Sequence, residues 1–469
     1  MHILFFNPQG NFDPSDAHLT EHPDFGGQLV YVKEVAMAMA DAGHRVDIVT
    51  RQIVDPDWPE FSEAIDRYDG YGDELRIVRL PCGGQRFLAK EELWPHLPEF
   101  VSNTRAFYGA GLPDFMTAHY ADGGYCAALM QSETGLGFTF TGHSLGAQKL
   151  DKLGMGRSNA DEMEKRFRFS TRIGAERMSM ERAYRIITST GQERMEQYSH
   201  PLYRGAVDVN DDARFAVIPP GVNTRVFSVE RGADDEKLAA RLDAAGGSEE
   251  RQSLVISSRI DEKKNIGKAV EAWAGSPALN QRSDLVLCIR GVDDPWTEIG
   301  SMSSEEQDVL TPILETLRQA GLQDRVRFLN LQSQSELAAC YRYFARRNSL
   351  FVLPSVYEPF GLAPIEAAAC GLACVATANG GPSEIFADGS GILVDPFDAD
   401  DIARGLTEAL DRAPELARLG RRRVLDKYTW NKTADRYLDV ISDGVAGGGA
   451  PGEALGEPDA SGRLADYLR

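Results

Sequence analysis

The chain has 469 residues, 42% of them hydrophobic and 26% charged, enough for two or three domains that each bury a core. A formal net charge of -21 excludes a dedicated nucleic-acid binder, which grips phosphate with clustered Lys and Arg over a basic face. The acid excess fits a surface adapted to high salt as well as it fits an acidic lineage. Met1 to Phe6 are apolar but run straight into Asn7-Pro8-Gln9-Gly10, short of a signal-peptide core and without a basic start. No later apolar run approaches the ~20 residues that span a bilayer, so no membrane partner is expected. Cysteines 82, 126, 288, 340, 370 and 374 lie in apolar surroundings without metal-ligand spacing and read as reduced core thiols of a cytoplasmic protein.

The pattern opens with a buried strand, Ile3 to Phe6, and a polar loop. A helix from about Gln28 to Ala42 follows, with Leu29, Val32, Ala36 and Met39 on one face, and then a strand from Val46 to Thr50. Further β-like runs stand at Arg76 to Leu80, Phe115 to Ala118, Phe138 to Thr141 and Arg185 to Ser189, with helical stretches between most of them. Strands alternating with helices point to a parallel sheet covered on both faces. Phe215 to Ile218 leads into the rigid turn Pro219-Pro220-Gly221-Val222-Asn223 and a polar segment, Arg231 to Arg251. From Leu254 to Ser257 a second β-α series begins, with strands near Leu285 to Arg290, Val326 to Leu329, Leu350 to Leu353 and Cys374 to Ala376. The reading is therefore α/β throughout, with an N-terminal doubly wound domain over 1–218 and a C-terminal one over 219–427. A last helix is expected over 428–443, and residues 444–469, rich in Gly, Ala and Pro at their start, are expected to be a flexible tail.

Chemistry concentrates at strand ends. Around Glu358-Pro359-Phe360-Gly361-Leu362 a buried strand ends at Pro354, and a helix beginning near Phe360 carries Glu366 and stops at Gly371. An open helix N-terminus at the carboxyl end of a strand suits a phosphate or a polar sugar. Two carboxylates eight residues apart there can accept hydrogen bonds from hydroxyls. In Ser257-Ser258-Arg259-Ile260-Asp261-Glu262-Lys263-Lys264-Asn265, Arg259 and Lys264 can clamp a diphosphate, Arg as a planar fork and Lys as a point charge; Lys263 competes for the register. Gly26 and Gly27 precede a helix and let the backbone approach a ligand closely.

The stretch from Glu358 to Glu366 resembles the E-x7-E signature of retaining glycosyltransferases with the GT-B fold, and Arg259 with Lys264 matches their R-x4-K pair. The start Phe25-Gly26-Gly27-Gln28 looks like the sucrose-phosphate synthase branch of that superfamily. The resemblance implies two Rossmann-like domains facing a cleft, with the terminal helix crossing back to the first. It implies that Glu366 binds the nucleotide ribose, that Glu358 contacts the donor sugar, and that Gly26, Gly27, Phe360, Gly361 and Leu362 complete the donor site. His143 would lie beside the anomeric carbon. Gln28, Lys90, Lys149 and Arg172 would hold fructose 6-phosphate, UDP-glucose would be the donor, and a retaining front-face transfer would yield sucrose 6-phosphate. Arg259 and Lys264 would stabilise the leaving diphosphate, so no cofactor or metal is needed, with Mg2+ at most a non-essential stimulant. Asp55-Pro56-Asp57 and Asp398-Ala399-Asp400 are chance D-x-D patterns.

Three other readings compete. A mannosylfructose-phosphate synthase would use GDP-mannose over the same acceptor pocket. Gly142-His143-Ser144-Leu145-Gly146 satisfies the G-x-S-x-G elbow of a serine hydrolase, but only His200 lies downstream to complete a triad. A non-catalytic sugar-nucleotide sensor would need the donor motifs alone. His2, His44 and His119 fit satisfied core histidines.

Overall fold

The computed structural model describes residues 1–14, 27–244 and 251–469, so Gly26 lies outside the described residues. Eight strands build the sheet of the first domain: β1 (His2–Phe6), β2 (Arg45–Arg51), β3 (Ile65–Arg67), β4 (Leu75–Leu80), β5 (Phe115–His119), β6 (Phe138–Thr141), β7 (Arg185–Thr188) and β8 (Phe215–Val217). Their order is β3-β4-β2-β1-β5-β6-β7-β8. The second domain carries β9 (Gln252–Ser257), β10 (Ser283–Cys288), β11 (Val326–Leu329), β12 (Leu350–Leu353), β13 (Ala373–Thr377) and β14 (Ile392–Val394) in the order β11-β10-β9-β12-β13-β14. All pairings are parallel except β3 with β4. In each sheet the chain starts in the middle, winds to one edge, returns, and winds to the other. The order therefore reverses between β1 and β5 and again between β9 and β12, where the loops at the carboxyl ends part and leave a crevice.

Parallel strands need helical crossovers, which bury both faces. Alternation along the second sheet shows this directly. Leu254, Ile256, Leu285 and Leu350 pack with Leu310, Leu314 and Leu317 of helix Ser304–Gln319. Val255, Val286 and Phe351 pack on the opposite face with Tyr341 and Phe344 of helix Gln334–Ala345. In the first domain β4 buries two arginines, each held by a carboxylate: Arg76 forks onto Asp47 at 2.7 Å, and Arg79 bonds Asp66 at 2.5 Å. Asp47 also accepts from Tyr108 at 2.8 Å.

Two strands are too short to be legible in the sequence. β3 is three residues of Ile-Asp-Arg, held at the edge because Arg79 draws in Asp66 and the Glu63 carbonyl. β14 is equally short, below the length at which apolar runs are legible. The polar segment 231–251 contains a helix, Asp235–Ala244, whose Asp235 forms a buried ion pair with Arg342.

The chain divides into two compact units, residues 1–219 with 433–469 and residues 220–432. The last long helix is Trp430–Gly447, and from Thr433 onward it belongs to the first unit. Tyr437 is fully buried there and its hydroxyl meets those of Tyr31 at 3.0 Å and Thr141 at 2.8 Å. The tail departs from expectation. Gly452 N–H donates to the Ser132 carbonyl at 3.1 Å, Ala460 N–H donates to Ser170 at 3.0 Å, and a helix forms over Ser461–Tyr467. Leu464 joins the core of the first unit, and the Tyr467 hydroxyl donates to Asp151 at 2.9 Å. Glycine-rich composition reports only the local entropy cost; buried Ala460 and Leu464 offset it through contacts distant in sequence. Ending the chain at Gly448 should destabilise the first domain by about 2 kcal/mol, the burial of one Leu plus small terms. Differential scanning calorimetry should show one of two melting transitions moving down by several degrees.

Candidate active site

In the second domain the site is built at the reversal point. Asn265, at φ 55°, ends the short turn Glu262–Lys264 after β9, and its side-chain amide donates to the carbonyls of Pro354 at 2.9 Å and Pro396 at 2.7 Å. Val356 N–H donates to the Lys263 carbonyl at 2.9 Å, so the loops after β9 and β12 are stitched together. This brings Lys264 Nζ to 2.7 Å from Glu358 Oε2, with side-chain exposures of only 22% and 14%. Ser355 Oγ donates to the same carboxylate oxygen at 3.2 Å. Of the two lysines it is Lys264 that meets Glu358, while Lys263 is exposed and contributes its backbone carbonyl. Arg259 is exposed just past β9 and makes no side-chain hydrogen bond or ion pair among the described residues. Its fork is not brought into the Lys264–Glu358 pair.

A third loop, unremarked in the sequence, closes the site. Asn379 after β13 receives the Glu358 amide on its carbonyl at 3.2 Å and donates its side-chain amide to the Val356 carbonyl at 3.0 Å. The Gly381 amide donates to the Glu358 carbonyl at 2.9 Å. A Cβ on Gly380 would strike the Glu358 carbonyl and one on Gly381 the Phe360 carbonyl, so only glycine permits this approach. The signal was present: paired glycines before Pro382, at the start of helix Gly381–Ile385, directly after a buried strand. Gly361, at φ 101°, opens helix Leu362–Ala369, Phe360 packs on Tyr428 with ring centroids 6.0 Å apart, and Leu362 is exposed. Glu366 on that helix is partly buried, and loss of water around its carboxyl pushes its pKa up to about 7. A carboxyl so placed, with no cation beside it among the described residues, gains from hydroxyl donors.

In the first domain His143 follows β6 in the left-handed region, at φ 55°. Its Nε2 lies 2.9 Å from Nδ1 of His119, a buried histidine that fits a core role in the sequence. Burial holds both imidazoles neutral, that of His143 pushed down to about 3. Ser144 is exposed and bonds no histidine, and His200 is engaged with Asp151 at 3.0 Å, so no hydrolase triad forms among the described residues. Gln28 donates to Asn7 Oδ1 at 2.7 Å. Gly27 is the first residue of its helix. Lys90 starts a short turn and lines a small cavity with Pro8, Gln9, Asn11 and Arg51. Lys149 lies 4.5 Å over the Phe167 ring. Arg172 is buried, pairs with Glu176 at 3.1 Å, donates to the Ser144 carbonyl and covers the Tyr120 ring at 4.7 Å. Glu176 also accepts the Gly146 amide at 2.8 Å, so the Arg172–Glu176 pair anchors the loop that carries His143. No short motif announces Glu176 or Tyr120; their part depends on helix Phe169–Arg182 packing beside that loop. The D-x-D aspartates serve as local caps: Asp398 accepts from the Asp400 amide and Asp55 from the Asp57 amide.

Two doubly wound domains, one with a cation–carboxylate pair at its reversal point, define a ligand-binding α/β protein, and comparison with known proteins gives the class. The family description "Glycosyl transferase 4-like domain" matches residues 26–221, and "Glycosyl transferases group 1" matches residues 241–423. The solved structure of a sucrose-phosphate synthase from Thermosynechococcus elongatus superposes with a TM-score of 0.65 at 26% identity, covering 95% of this chain and 100% of that one. Anabaena HepE, solved with UDP and glucose, shares the fold, with a TM-score of 0.58 at 16% identity over 94% of this chain and 100% of its own. The protein is a glycosyltransferase of the GT-B fold, a hexosyltransferase. A "Probable sucrose-phosphate synthase" from Thermosipho melanesiensis is 43% identical over 94% of this chain and 96% of its own length. The sucrose-phosphate synthase of Spinacia oleracea is 31% identical, and there the chain spans about half, 46%, of the plant protein. The chain belongs to the sucrose-phosphate synthase family. Among the described residues no helix is long and apolar enough to cross a membrane.

Proposed function

We propose that this enzyme transfers glucose from UDP-glucose to fructose 6-phosphate, giving sucrose 6-phosphate and UDP with retention at the anomeric carbon. The observation that carries this reading is the near end-to-end match to the Thermosipho protein, in a chain whose second domain sets Lys264 against Glu358 at the reversal point. The acceptor hydroxyl bonds to the anomeric carbon as the bond from that carbon to the diphosphate oxygen breaks, and its proton passes to the departing phosphate. Lys264, held in place by Glu358, and Arg259, whose exposed fork the donor must draw in, oppose the charge that develops there, and a fixed cation such as Lys264 contributes about 3 kcal/mol. Glu366 receives ribose hydroxyls, Glu358 a hydroxyl of the sugar, and His143 lies beside the reacting carbon. Gln28, Lys90, Lys149 and Arg172 hold the phosphorylated acceptor. The reaction proceeds in the cytoplasm without a metal or cofactor. Incubating the purified protein with fructose 6-phosphate and, in turn, UDP-glucose, ADP-glucose and GDP-mannose tests it. UDP and a phosphorylated disaccharide should appear in the first reaction; product from GDP-mannose alone would reassign the donor.

A further inference from the structure

The loop carrying His143 rests on a hydrogen-bonded chain that begins inside the sheet. Thr117 and His119 stand two apart on β5, so their side chains share a face of the sheet. Thr117 Oγ1 lies 3.1 Å from Nε2 of His119, and Nδ1 of His119 lies 2.9 Å from Nε2 of His143. Packing fixes both rings. His119 stacks on Phe5 with centroids 5.4 Å apart and planes 9° apart. The His143 ring meets the edge of Tyr31 at 5.0 Å, and Tyr31 is tied through its hydroxyl to Tyr437.

A chain of neutral groups can run in only two directions. In one, His143 Nε2–H donates to His119 Nδ1, and His119 Nε2–H donates to the Thr117 oxygen. The Thr117 hydroxyl, fully buried, then has a proton with no acceptor among the described residues. In the other, the Thr117 hydroxyl donates to His119 Nε2 and His119 Nδ1–H donates to His143 Nε2, and the proton left without an acceptor among the described residues is His143 Nδ1–H, on a residue that is not fully buried. A buried donor left without a partner is the costlier outcome, so the second direction prevails. It leaves the proton of His143 on Nδ1, the ring nitrogen that takes no hydrogen bond among the described residues.

We propose that Thr117 and His119 are positioning residues that set the tautomer of His143, holding Nε2 as an acceptor and presenting Nδ1–H as a hydrogen-bond donor to an oxygen of the transferred sugar. The tautomer assignment stands on the chain itself; its consequence for catalysis rests on the proposed role of His143. A donor arriving with its proton already placed meets a sugar oxygen without reorganisation, and preorganisation of this kind raises kcat more than it alters KM.

Long-range proton–nitrogen spectra of the full chain labelled with 15N-histidine, assigned with single histidine variants, read the tautomer without any substrate. The wild type should show His143 and His119 each protonated on Nδ1. Thr117→Val, close in shape and at home in a strand, removes the bias; it should give a mixture of His143 tautomers and lower kcat about fivefold, with KM for both substrates within about twofold and a melting temperature lowered by a few degrees, because the buried His119 Nε2 loses its donor. Thr117→Ser should restore both readouts. His119→Phe, which keeps the stack on Phe5, should lower kcat about tenfold or more, and His119→Asn, with an amide donor near the place of Nδ1, should recover most of the loss. A wild-type His143 protonated on Nε2, or a folded Thr117→Val protein with wild-type kcat, overturns the proposal. Because the spectra need no substrate, a different donor or acceptor changes only the kinetic assay and leaves the tautomer result standing.

Discussion

Lys264→Ala should lower kcat by about 10² to 10³ while the second domain stays folded. The expectation follows from where the charge sits. Lys264 Nζ is held at 2.7 Å from Glu358, both side chains mostly out of water, so the cation is oriented before any ligand arrives. Fixed charges of that kind lose little by reorganisation, and removing one costs about 3 to 4 kcal/mol of transition-state stabilisation. Stability should fall less. Glu358 retains the Ser355 hydroxyl and some solvent, so its unpaired carboxylate costs about 1 kcal/mol. Lys264→Arg should rescue poorly, because a planar fork on a different stem does not place its charge where an ammonium does. Lys263→Ala, one residue away and exposed, should remain near wild type. Steady-state kinetics with calorimetric melting separates these outcomes. A Lys264→Ala enzyme within threefold of wild-type kcat would remove the lysine from the transition state.

Glu366→Gln should make the protein more stable and a much weaker binder of the nucleotide sugar. Burial raises the Glu366 pKa from 4.5 to about 7. Between those values the folded chain holds a proton that the unfolded chain has released, so stability falls as pH rises through the window. The penalty is complete above pH 7 and absent below pH 4.5. An amide carries no charge to desolvate. Relative to wild type, Glu366→Gln should gain about 2 kcal/mol at pH 8, a value discounted from the full shift for partial exposure, and gain nothing near pH 4.5. If ribose hydroxyls are what the carboxylate receives, the same change should raise the KM for the nucleotide sugar about 100-fold, since a neutral amide is a weaker acceptor and offers one oxygen in place of two. Donor binding to the wild type should also release protons near pH 7, visible as titration heats that change with the buffer. A variant less stable than wild type at pH 8 would contradict the desolvation argument. Excess stability from removing a binding group is the usual trade where a site is built against the fold's own preference.

The residues legible in the sequence share a property: their meaning is carried by near neighbours in the chain. The buried runs Ile3–Phe6 and Leu350–Leu353 announce strands through uninterrupted apolar side chains, and both are strands in the structure. Glu358 and Glu366 stand out because the strand, the prolines and the helix start around them fall within a dozen residues. Short or polar elements gave no such signal. β3 exists because Arg79 needs Asp66, and the tail lies ordered because Leu464 finds the core of the first unit.

Composition, period and motif spacing by themselves determined an α/β chain of two doubly wound domains with Lys264 and Glu358 at strand ends and Glu366 on the helix that follows, and the resemblance those motifs carry supplied the family. All of that is local, because hydrophobic period and turn chemistry act over a few residues. Only the tertiary structure decided which lysine meets Glu358, that Arg259 stands apart from that pair, that Gly380 and Gly381 close the site, and that His119 holds His143. Each of these joins loops or strands separated by long stretches of chain. Parallel pairing sets the carboxyl ends of β9, β12 and β13 side by side, and of β5 and β6 likewise, an adjacency that no window of sequence contains.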